Sequence, residues 1–194
     1  MEDVEYGPNE SIDGKQNNQN GQKIIKSDTQ VAGVDFDLIS KDLKTARIIS
    51  PAYASSKSEL LAILLYTYQI FQFSYQKRED IAKQLEEISI QEMTHLEWLG
   101  QMLIRLGVAP IYTHYPPIPA NFFTTRFVPY NSNQIMMIKI DLQGEKQAIA
   151  DYKKIISQLD NELVKKVIQE IVKQEENHVV ILTKILEELQ DRPR

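Results

Sequence analysis

The fold is decided by two short stretches that repeat one motif, Glu-x-x-His: Glu92-Met93-Thr94-His95 and Glu175-Glu176-Asn177-His178. Three residues along a helix advance by about 300° and rise by about 4.5 Å. The carboxylate and the imidazole of each motif would therefore project from one helix face, close enough to share a metal ion. The chain has 3 histidines, and two of them stand in this motif.

Each motif has a preceding glutamate at a similar distance. Glu59 lies 33 residues before Glu92, and Glu145 lies 30 residues before Glu175. If each pair faces across a helical hairpin, the turn falls at the midpoint. The first midpoint opens the polar run 76–80, and the second is Asp160, where capping residues favour a turn. The sequence therefore predicts two hairpins, each built as a lone Glu, a turn and Glu-x-x-His.

These acids are flanked by apolar residues at helical spacing, so they are predicted to point into a core, where an isolated carboxylate is costly. Four crowded carboxylates would repel one another and take up protons. Two divalent cations, held by four carboxylates and two neutral imidazoles, would balance the charge. Asp141, one turn before Glu145, could replace or supplement it. The predicted ligands are Glu59, Glu92, His95, Glu145, Glu175 and His178.

Helical periodicity predicts four long helices around these residues, at about 57–76, 79–106, 134–158 and 162–189, with Gly107 closing the second. The segment 108–133 between the second and third holds five of the 8 prolines and has no helical pattern. A connection this long is expected if the two flanking helices are parallel and the chain must travel the length of the bundle. Its six aromatic residues predict that it packs on the bundle.

The N-terminal tail is predicted to have almost nothing to bury. Residues 1–34 are polar and are expected to form a disordered tail, with the folded domain covering 35–194. A short amphipathic helix is expected at about 36–49, stopped by Pro51. The N-terminus has no apolar signal region, and the longest apolar stretch, 60–73, is too short to span a bilayer. A cytoplasmic protein with no membrane partner is the resulting prediction.

Composition excludes several classes of site. The net charge is −5 and no stripe of Lys and Arg is present, which argues against a nucleic-acid partner. Cysteine is absent, which excludes disulfides, thiolate zinc sites and Cys-ligated iron. Any metal must be held by oxygen and nitrogen ligands, which suit iron and manganese equally.

The chain resembles the ferritin-like superfamily, and within it the rubrerythrin and manganese-catalase branches. The resemblance covers about 36–190 and is carried by both Glu-x-x-His motifs and by the segments 58–63 and 144–149. It implies an all-α, four-helix bundle with one long crossover between helices 2 and 3. It also implies two iron or two manganese ions per chain, with bridging glutamates and terminal histidines. The six ligands would then act catalytically, through the bound metals, on hydrogen peroxide or dioxygen.

The missing cysteines separate this chain from rubrerythrins that carry a rubredoxin-like module. A peroxidase cycle would need an external electron donor, whereas a catalase cycle needs none, which favours the manganese-catalase-like interpretation. The alternatives are an iron-oxidising storage protein and a structural protein, such as those of spore coats, whose metal site stabilises the bundle. Spore association is the alternative location. Apolar helix faces and the aromatic crossover favour a homodimer.

The remaining polar and aromatic residues receive less specific predictions. Tyr66 and Tyr152 stand seven residues after Glu59 and Glu145; core packing is expected, with a hydrogen bond to a ligand as the alternative. His114 is expected to have no metal role, and Trp98 to lie in the core or an interface. Three further acids are expected to be solvated: Glu87, Glu97 and Glu176.

Overall fold

The computed structural model describes residues 30–31 and 33–191, and its elements follow the predicted order. A short hairpin comes first, followed by five α-helices: β1 (Gln30–Val31), β2 (Val34–Asp35), α1 (Leu43–Tyr53), α2 (Glu59–Tyr75), α3 (Glu79–Arg105), α4 (Gln134–Gln158) and α5 (Glu162–Asp191). α2 pairs with α3, and α4 pairs with α5. These four helices form the ferritin-like four-helix bundle predicted from the sequence, with the long crossover between α3 and α4. In the described part of the chain, no helix combines the length and apolar character needed to cross a bilayer.

The helix starts are fixed by side-chain caps, as the sequence indicated. The Ser58 hydroxyl accepts a hydrogen bond from the Leu61 N–H at 3.3 Å, at the start of α2. The Asn161 side chain accepts from the N–H groups of Leu163 and Val164, both at 3.1 Å, at the start of α5. Each cap satisfies donors that have no partner inside the helix. The cap at Asn161 places the α4–α5 turn where the spacing of the acids required it.

Gly107 closes α3 in the left-handed conformation, with φ of +91°. The Val108 N–H donates to the Leu103 carbonyl at 2.9 Å, and the Gly107 N–H donates to the Ile104 carbonyl at 3.0 Å. This pair of hydrogen bonds is the Schellman motif, which favours glycine at its left-handed residue. The predicted C-terminal cap is confirmed.

The turn between α2 and α3 uses the same motif without a glycine. Lys77 has φ of +61°. The Arg78 N–H donates to the Phe73 carbonyl at 2.9 Å, and the Lys77 N–H donates to the Ser74 carbonyl at 3.1 Å. A residue with a Cβ atom is strained in this conformation by roughly 1–2 kcal/mol.

We expect Lys77→Gly to stabilise the protein by about 1 kcal/mol, because glycine adopts the left-handed conformation without that strain. The exposed Lys83, inside α3, is the matched control: Lys83→Gly should destabilise by about 1 kcal/mol, since glycine weakens a helix interior. Urea unfolding of the three proteins measures both changes. Equal destabilisation by both glycines would contradict the role given to the turn.

α1 differs from its predicted bounds at both ends. Residues 36–38 form a separate 3₁₀ turn, and α1 begins at Leu43 because the Asp42 side chain caps it by accepting from the N–H groups of Lys44 and Thr45. The prediction that Pro51 stops the helix is wrong, since α1 continues to Tyr53. Tyr53 is buried in the core, and its hydroxyl donates to the Pro110 carbonyl of the crossover at 2.8 Å. These contacts stabilise the last turn of α1 although Pro51 has no N–H to donate within the helix.

The N-terminal hairpin packs before the predicted domain boundary. Val31 and Val34 are buried, and β2 contacts α5, so the described chain joins the core at Val31 rather than at residue 35. Two valines at the end of a polar segment were too weak a pattern to reveal this. The predicted disordered tail otherwise falls on residues 1–29 and 32, which lie outside the described residues.

The crossover lies on α1 and then reaches the far end of α2. The Tyr115 N–H donates to the Ser50 hydroxyl at 2.8 Å. The Tyr130 and Tyr68 rings pack edge to face, with their centroids 5.0 Å apart. The predicted packing is found for the backbone and only in part for the aromatic rings, since Tyr112 and Tyr130 are 58% and 59% exposed.

The interior of the bundle is divided into two apolar clusters. One surrounds Ile49, Leu99 and Ile168, and the other surrounds Phe73 and Leu85. In α3, α4 and α5 the buried apolar residues on one side of the predicted ligands belong to one cluster and those on the other side belong to the other cluster, whereas α2 begins at Glu59 and contributes its buried residues to the second cluster. A buried polar layer therefore lies across the middle of the bundle, enclosed by apolar side chains on both sides.

Candidate metal centre

All six predicted ligands lie together in this polar layer. They form two overlapping groups, and within each group the ligand atoms lie within 4.8 Å of one another. Both groups contain Glu92 and Glu175, so the two groups share these carboxylates. All six side chains are buried. The groups are Glu59, Glu92, His95 and Glu175, and Glu92, Glu145, Glu175 and His178.

Both histidines direct Nδ1 at the carboxylates. His95 Nδ1 lies 3.1 Å from an oxygen of Glu175 and 3.6 Å from one of Glu59. His178 Nδ1 lies 2.9 Å from Glu92 Oε1 and 3.8 Å from an oxygen of Glu145. The second shared acid is also close, since His95 Nδ1 lies 3.5 Å from Glu92 and His178 Nδ1 lies 3.0 Å from Glu175. Each imidazole therefore faces both shared acids and one acid of its own group.

The other ring nitrogen of each histidine contacts a glutamine from the opposite motif. His95 Nε2 lies 3.0 Å from Gln174 Oε1, and His178 Nε2 lies 2.7 Å from Gln91 Oε1. An amide oxygen can only accept, so Nε2 carries the proton and donates in both contacts. In the neutral imidazole this leaves the lone pair of Nδ1 directed at the carboxylates, as a metal ligand requires.

These glutamines were missed from the sequence, although a signal for them was present. Gln91 immediately precedes Glu92, and Gln174 immediately precedes Glu175, so the full repeat is Gln-Glu-x-x-His. A pattern that contains only metal ligands leaves out the uncharged residue before each glutamate. The positions become meaningful only when one asks what orients each imidazole.

Two buried tyrosines hold the unshared glutamates. The Tyr66 hydroxyl donates to Glu145 Oε1, and the Tyr152 hydroxyl donates to Glu59 Oε1. The hydrogen-bonded alternative for these tyrosines is therefore the one found, combined with burial in the core. Each tyrosine stabilises the glutamate of the other hairpin. Together with the glutamines, they give every ligand contact in one half of the site a counterpart in the other half.

Without a bound cation, ionisation of all four clustered carboxyl groups is unfavourable. Burial, with the charge of Glu175 next, raises the pKa of Glu92 well above its usual range. The same two causes raise the pKa of Glu145 to about 8. Burial would also raise the pKa of Glu175, but the two histidines, whose Nδ1 atoms lie 3.0 and 3.1 Å from its oxygens, hold that pKa well below its usual range.

Without a bound cation, both histidines favour the protonated, positively charged form. Burial disfavours the charged form of His178, but its carboxylate neighbours outweigh burial and raise its pKa to about 12. The pKa of His95 is raised well above its usual range by the same balance. Protons on the imidazoles and on two carboxyl groups thus take the place that cations would occupy.

Metal binding at neutral pH should therefore release protons. Both imidazoles and the carboxyls of Glu92 and Glu145 have raised pKa values, so roughly three to four protons per metal pair would leave at pH 7. Because a raised pKa keeps the proton bound, the apparent affinity should fall steeply from pH 8 to pH 6. Calorimetric titration in two buffers of different ionisation enthalpy counts the protons. Release of fewer than about one would contradict the protonated cluster.

The other polar residues considered from the sequence lie outside both groups. Asp141 does not join Glu145: it is buried and accepts a hydrogen bond from Gln69 at 2.7 Å. His114 lies in the crossover, and Glu87, Glu97 and Glu176 are exposed. Trp98 is half-buried, with its ring centroid 5.8 Å from that of His95.

The donor set fits a pair of cations. Among the described residues, Glu92 Oε1 and His95 Nδ1 are buried and have no hydrogen-bond partner, although charged groups lie close to both. Close approach without directed hydrogen bonds is costly for buried polar atoms. Carboxylate oxygens and imidazole nitrogens suit iron and manganese, and a cation bound to both atoms would remove the cost.

Comparisons with known proteins agree with this architecture. A manganese catalase from Anabaena superposes with a TM-score of 0.71 at 19% identity, covering 78% of this chain and 74% of its own. The bacterioferritin of Desulfovibrio desulfuricans, which has a diiron site, gives 0.64 at 20% identity, with coverages of 77% and 81%. The bacterioferritin of Rhodobacter capsulatus gives 0.63 at 22%, with 76% and 86%. At these identities the likeness shows the fold.

Comparison with curated protein sequences gives no match. A family model does match, over residues 53–186, which is more than half of the chain and contains the α2–α3 hairpin, the crossover, most of the α4–α5 hairpin and all six clustered residues. The chain therefore belongs to the rubrerythrin family.

Proposed function

We propose that this protein binds two iron or two manganese ions and acts as an oxidoreductase on hydrogen peroxide or dioxygen. The observation that carries the proposal is the sharing of Glu92 and Glu175 by two buried four-residue groups. Shared carboxylates hold two cations side by side. Two adjacent redox-active ions held there would supply electron transfer to and from a small oxidant.

The chain's own residues would then have distinct roles. Glu92 and Glu175 would contribute to holding both ions, Glu59 and His95 would complete one position, and Glu145 and His178 would complete the other. The glutamine contacts hold each imidazole with Nδ1 directed inward.

The tyrosines act as fixed donors to the terminal carboxylates. Burial, then the charge of the bonded glutamate, raises the pKa of Tyr66 and of Tyr152 well above the usual range, so both keep their protons. The two apolar clusters exclude bulk water from the layer. A reactive oxidant would thus meet few side chains other than the ligands.

The electron balance favours a catalase-type reaction. Peroxide disproportionation uses peroxide as both oxidant and reductant, and the chain has no cysteine with which to hold a rubredoxin-type iron. The Anabaena protein of the same fold is a manganese catalase. A homodimer in solution is part of the proposal.

The test begins with metal content, which can be read without an assay for activity. Protein produced with both metals supplied should contain about two ions per chain. The single tryptophan lies beside His95, so manganese or iron should quench its fluorescence on binding. His95→Gln and His178→Gln should lose metal, whereas His114→Gln, the third histidine, should bind as the unsubstituted protein does.

Turnover of peroxide by the metal-loaded protein then distinguishes an enzyme from a structural or an iron-storage protein. The metal-loaded protein should release oxygen from peroxide faster than the same concentration of free metal. Metal bound at the predicted stoichiometry without turnover of peroxide or dioxygen would overturn the enzymatic proposal and favour a structural site. A large assembly that accumulates an iron core would favour storage. Absence of metal from a folded helical sample would overturn the site itself.

A further inference from the structure

A buried acid and a buried amide, Asp141 and Gln69, lie outside both four-residue groups. The Gln69 amide nitrogen donates a hydrogen bond to Asp141 Oδ1 at 2.7 Å. Both side chains are almost completely buried, with 2% of Asp141 and 1% of Gln69 exposed. The other oxygen of each, Asp141 Oδ2 and Gln69 Oε1, has no hydrogen-bond partner among the described residues. Buried polar atoms are nearly always hydrogen-bonded, so these two oxygens require a chemical reason.

The pair is adjacent to the contact between Tyr66 and Glu145. Gln69 lies three residues after Tyr66 on α2, and Asp141 lies four residues before Glu145 on α4. Residues three or four apart on a helix are neighbours on one face. The Tyr66–Glu145 and Gln69–Asp141 hydrogen bonds are therefore successive links between the same two helices. The acid lies about one helical turn, roughly 6 Å along the helix axis, from a predicted ligand.

The corresponding positions in the other half of the layer carry different residues. The link there joins Tyr152 to Glu59. Ile155 is three residues after Tyr152, and Ser55 is four residues before Glu59, so neither position has a carboxyl or an amide side chain. The tyrosines and glutamines around the ligands are matched between the two halves, whereas the acid–amide pair belongs to one half. Holding a ligand in place therefore does not account for it.

A proton on Asp141 accounts for both unpaired oxygens. A carboxylate oxygen and an amide oxygen can only accept hydrogen bonds, so they cannot satisfy each other. A protonated Asp141 would donate from Oδ2 to Gln69 Oε1 while accepting from the amide nitrogen, which closes a doubly hydrogen-bonded pair. Burial raises the pKa of Asp141 well above its usual range; the bond from Gln69 opposes this increase and the charge of Glu145 adds to it. Tyr66, the ionisable neighbour on α2, keeps its own proton.

We propose that Asp141 stores one proton beside the metal centre and supplies it when peroxide is reduced there. This inference rests on the proposed function, from which the two electrons come. Reduction of one peroxide by two electrons and the stored proton gives one water molecule and one hydroxide ion. Oxidation of a second peroxide to dioxygen returns two electrons and two protons. One of these protons protonates Asp141 again, and the other converts the hydroxide to water.

Tyr66 provides a route for the proton. It neighbours Gln69 on α2, its charge and that of Asp141 act on each other, and its hydroxyl donates to Glu145. A hydroxyl group can accept one proton while it donates another. A proton from Asp141 would thus reach the Glu145–His178 side of the centre while Tyr66 stays neutral.

Infrared difference spectroscopy of the full chain tests whether the proton is present. Asparagine keeps both hydrogen bonds to Gln69 and the uncharged state but has no acidic proton to give. The spectrum of the unsubstituted protein minus that of Asp141→Asn should contain, at neutral pH, the C=O stretch of a carboxylic acid, which moves to lower frequency in heavy water. The band should remain after manganese is bound, when the clustered glutamates have lost their protons. Asp160→Asn, at an exposed acid that pairs with Lys44 at 2.7 Å, is the matched control and should remove only carboxylate bands.

A second variant serves if Asp141→Asn does not fold by circular dichroism. Gln69→Leu removes the amide, so the acid band should move to higher frequency, because the carbonyl of Asp141 loses its donor. It should also lower the melting temperature by roughly 5 °C, since it leaves a buried carboxyl group without a partner. An unchanged band in Gln69→Leu would overturn the acid–amide pair.

Peroxide turnover tests whether the proton is used. Asp141→Asn should bind two manganese ions as the unsubstituted protein does, because Asp141 lies outside both groups. Its turnover should fall by about 100-fold or more, which is the usual contribution of a positioned proton donor. The charge of the resting site is the same in this variant, so the loss would report the missing proton. Asp160→Asn should turn over peroxide at the normal rate.

The outcomes separate this inference from the proposed function. Absence of the acid band would show an ionised Asp141 and would overturn the proton store, whatever the turnover. The band together with normal turnover by Asp141→Asn would overturn the use of the proton in peroxide reduction. Failure of the unsubstituted, metal-loaded protein to turn over peroxide would overturn the proposed function and this use of the proton with it, while the band would still establish the protonated pair.

Discussion

Glu92→Gln is expected to abolish tight binding of both metal ions, whereas Glu59→Gln should leave one ion bound. Glu92 belongs to both four-residue groups, and Glu59 belongs to one. An amide has the shape of the carboxylate but no negative charge, so each substitution removes a ligand without opening a cavity. Losing even a residue that only orients a ligand costs 10–100-fold in affinity, and the loss of a shared ligand should exceed about 100-fold.

Elemental analysis after gel filtration, and quenching of Trp98, measure the two outcomes separately. Trp98 lies beside His95, in the group that contains Glu59, so Glu59→Gln should bind one ion with little quenching. Glu145→Gln, in the other group, should bind one ion and quench normally. Retention of one tightly bound ion by Glu92→Gln would show that Glu92 is not shared between the two positions.

Removal of the metals should lower the melting temperature by about 10 °C. A ligand present at a thousandfold excess over its dissociation constant stabilises the folded state by about 4 kcal/mol. In a chain of this size each kcal/mol corresponds to roughly 2–4 °C. In the absence of metal, the buried acids must be neutralised by protons and by the two imidazolium groups, which is a less favourable arrangement.

Glu92→Gln provides the control for this experiment. Its melting temperature should not respond to manganese, iron or a chelator. It should also melt above the metal-free unsubstituted protein, because the amide removes one ionisable group from a crowded buried set. Equal melting temperatures for the loaded and chelator-treated unsubstituted protein would contradict a metal pair that is bound in the folded state.

The bundle could be predicted because its signals are local and repeated. The bounds of the four long helices were predicted to within about two residues, since Ser58, Gly107 and Asn161 mark ends that the apolar period alone leaves undefined. The six clustered side chains could be chosen from the sequence because spacing relates them to turns. That they bind metal remains a proposal.

The features that were missed depend on contacts between distant parts of the chain. The extension of α1 past Pro51 rests on the burial of Tyr53 and on its bond to the crossover, which no local pattern shows. The burial of Val31 depends in the same way on the folded bundle. Gln91 and Gln174 were overlooked because an uncharged residue beside a ligand becomes informative only when the opposite histidine is in place.

The crossed arrangement of hydrogen bonds around the site has a consequence for how this protein can evolve. The glutamine of each half orients the imidazole of the other half, and the tyrosine of each half holds the other half's carboxylate. Neither hairpin can therefore keep a working set of ligands by itself. We therefore expect a substitution at one of these tyrosines or glutamines to be compensated by a change in the opposite hairpin. The two hairpins should coevolve, as the contacting residues of two interacting proteins do.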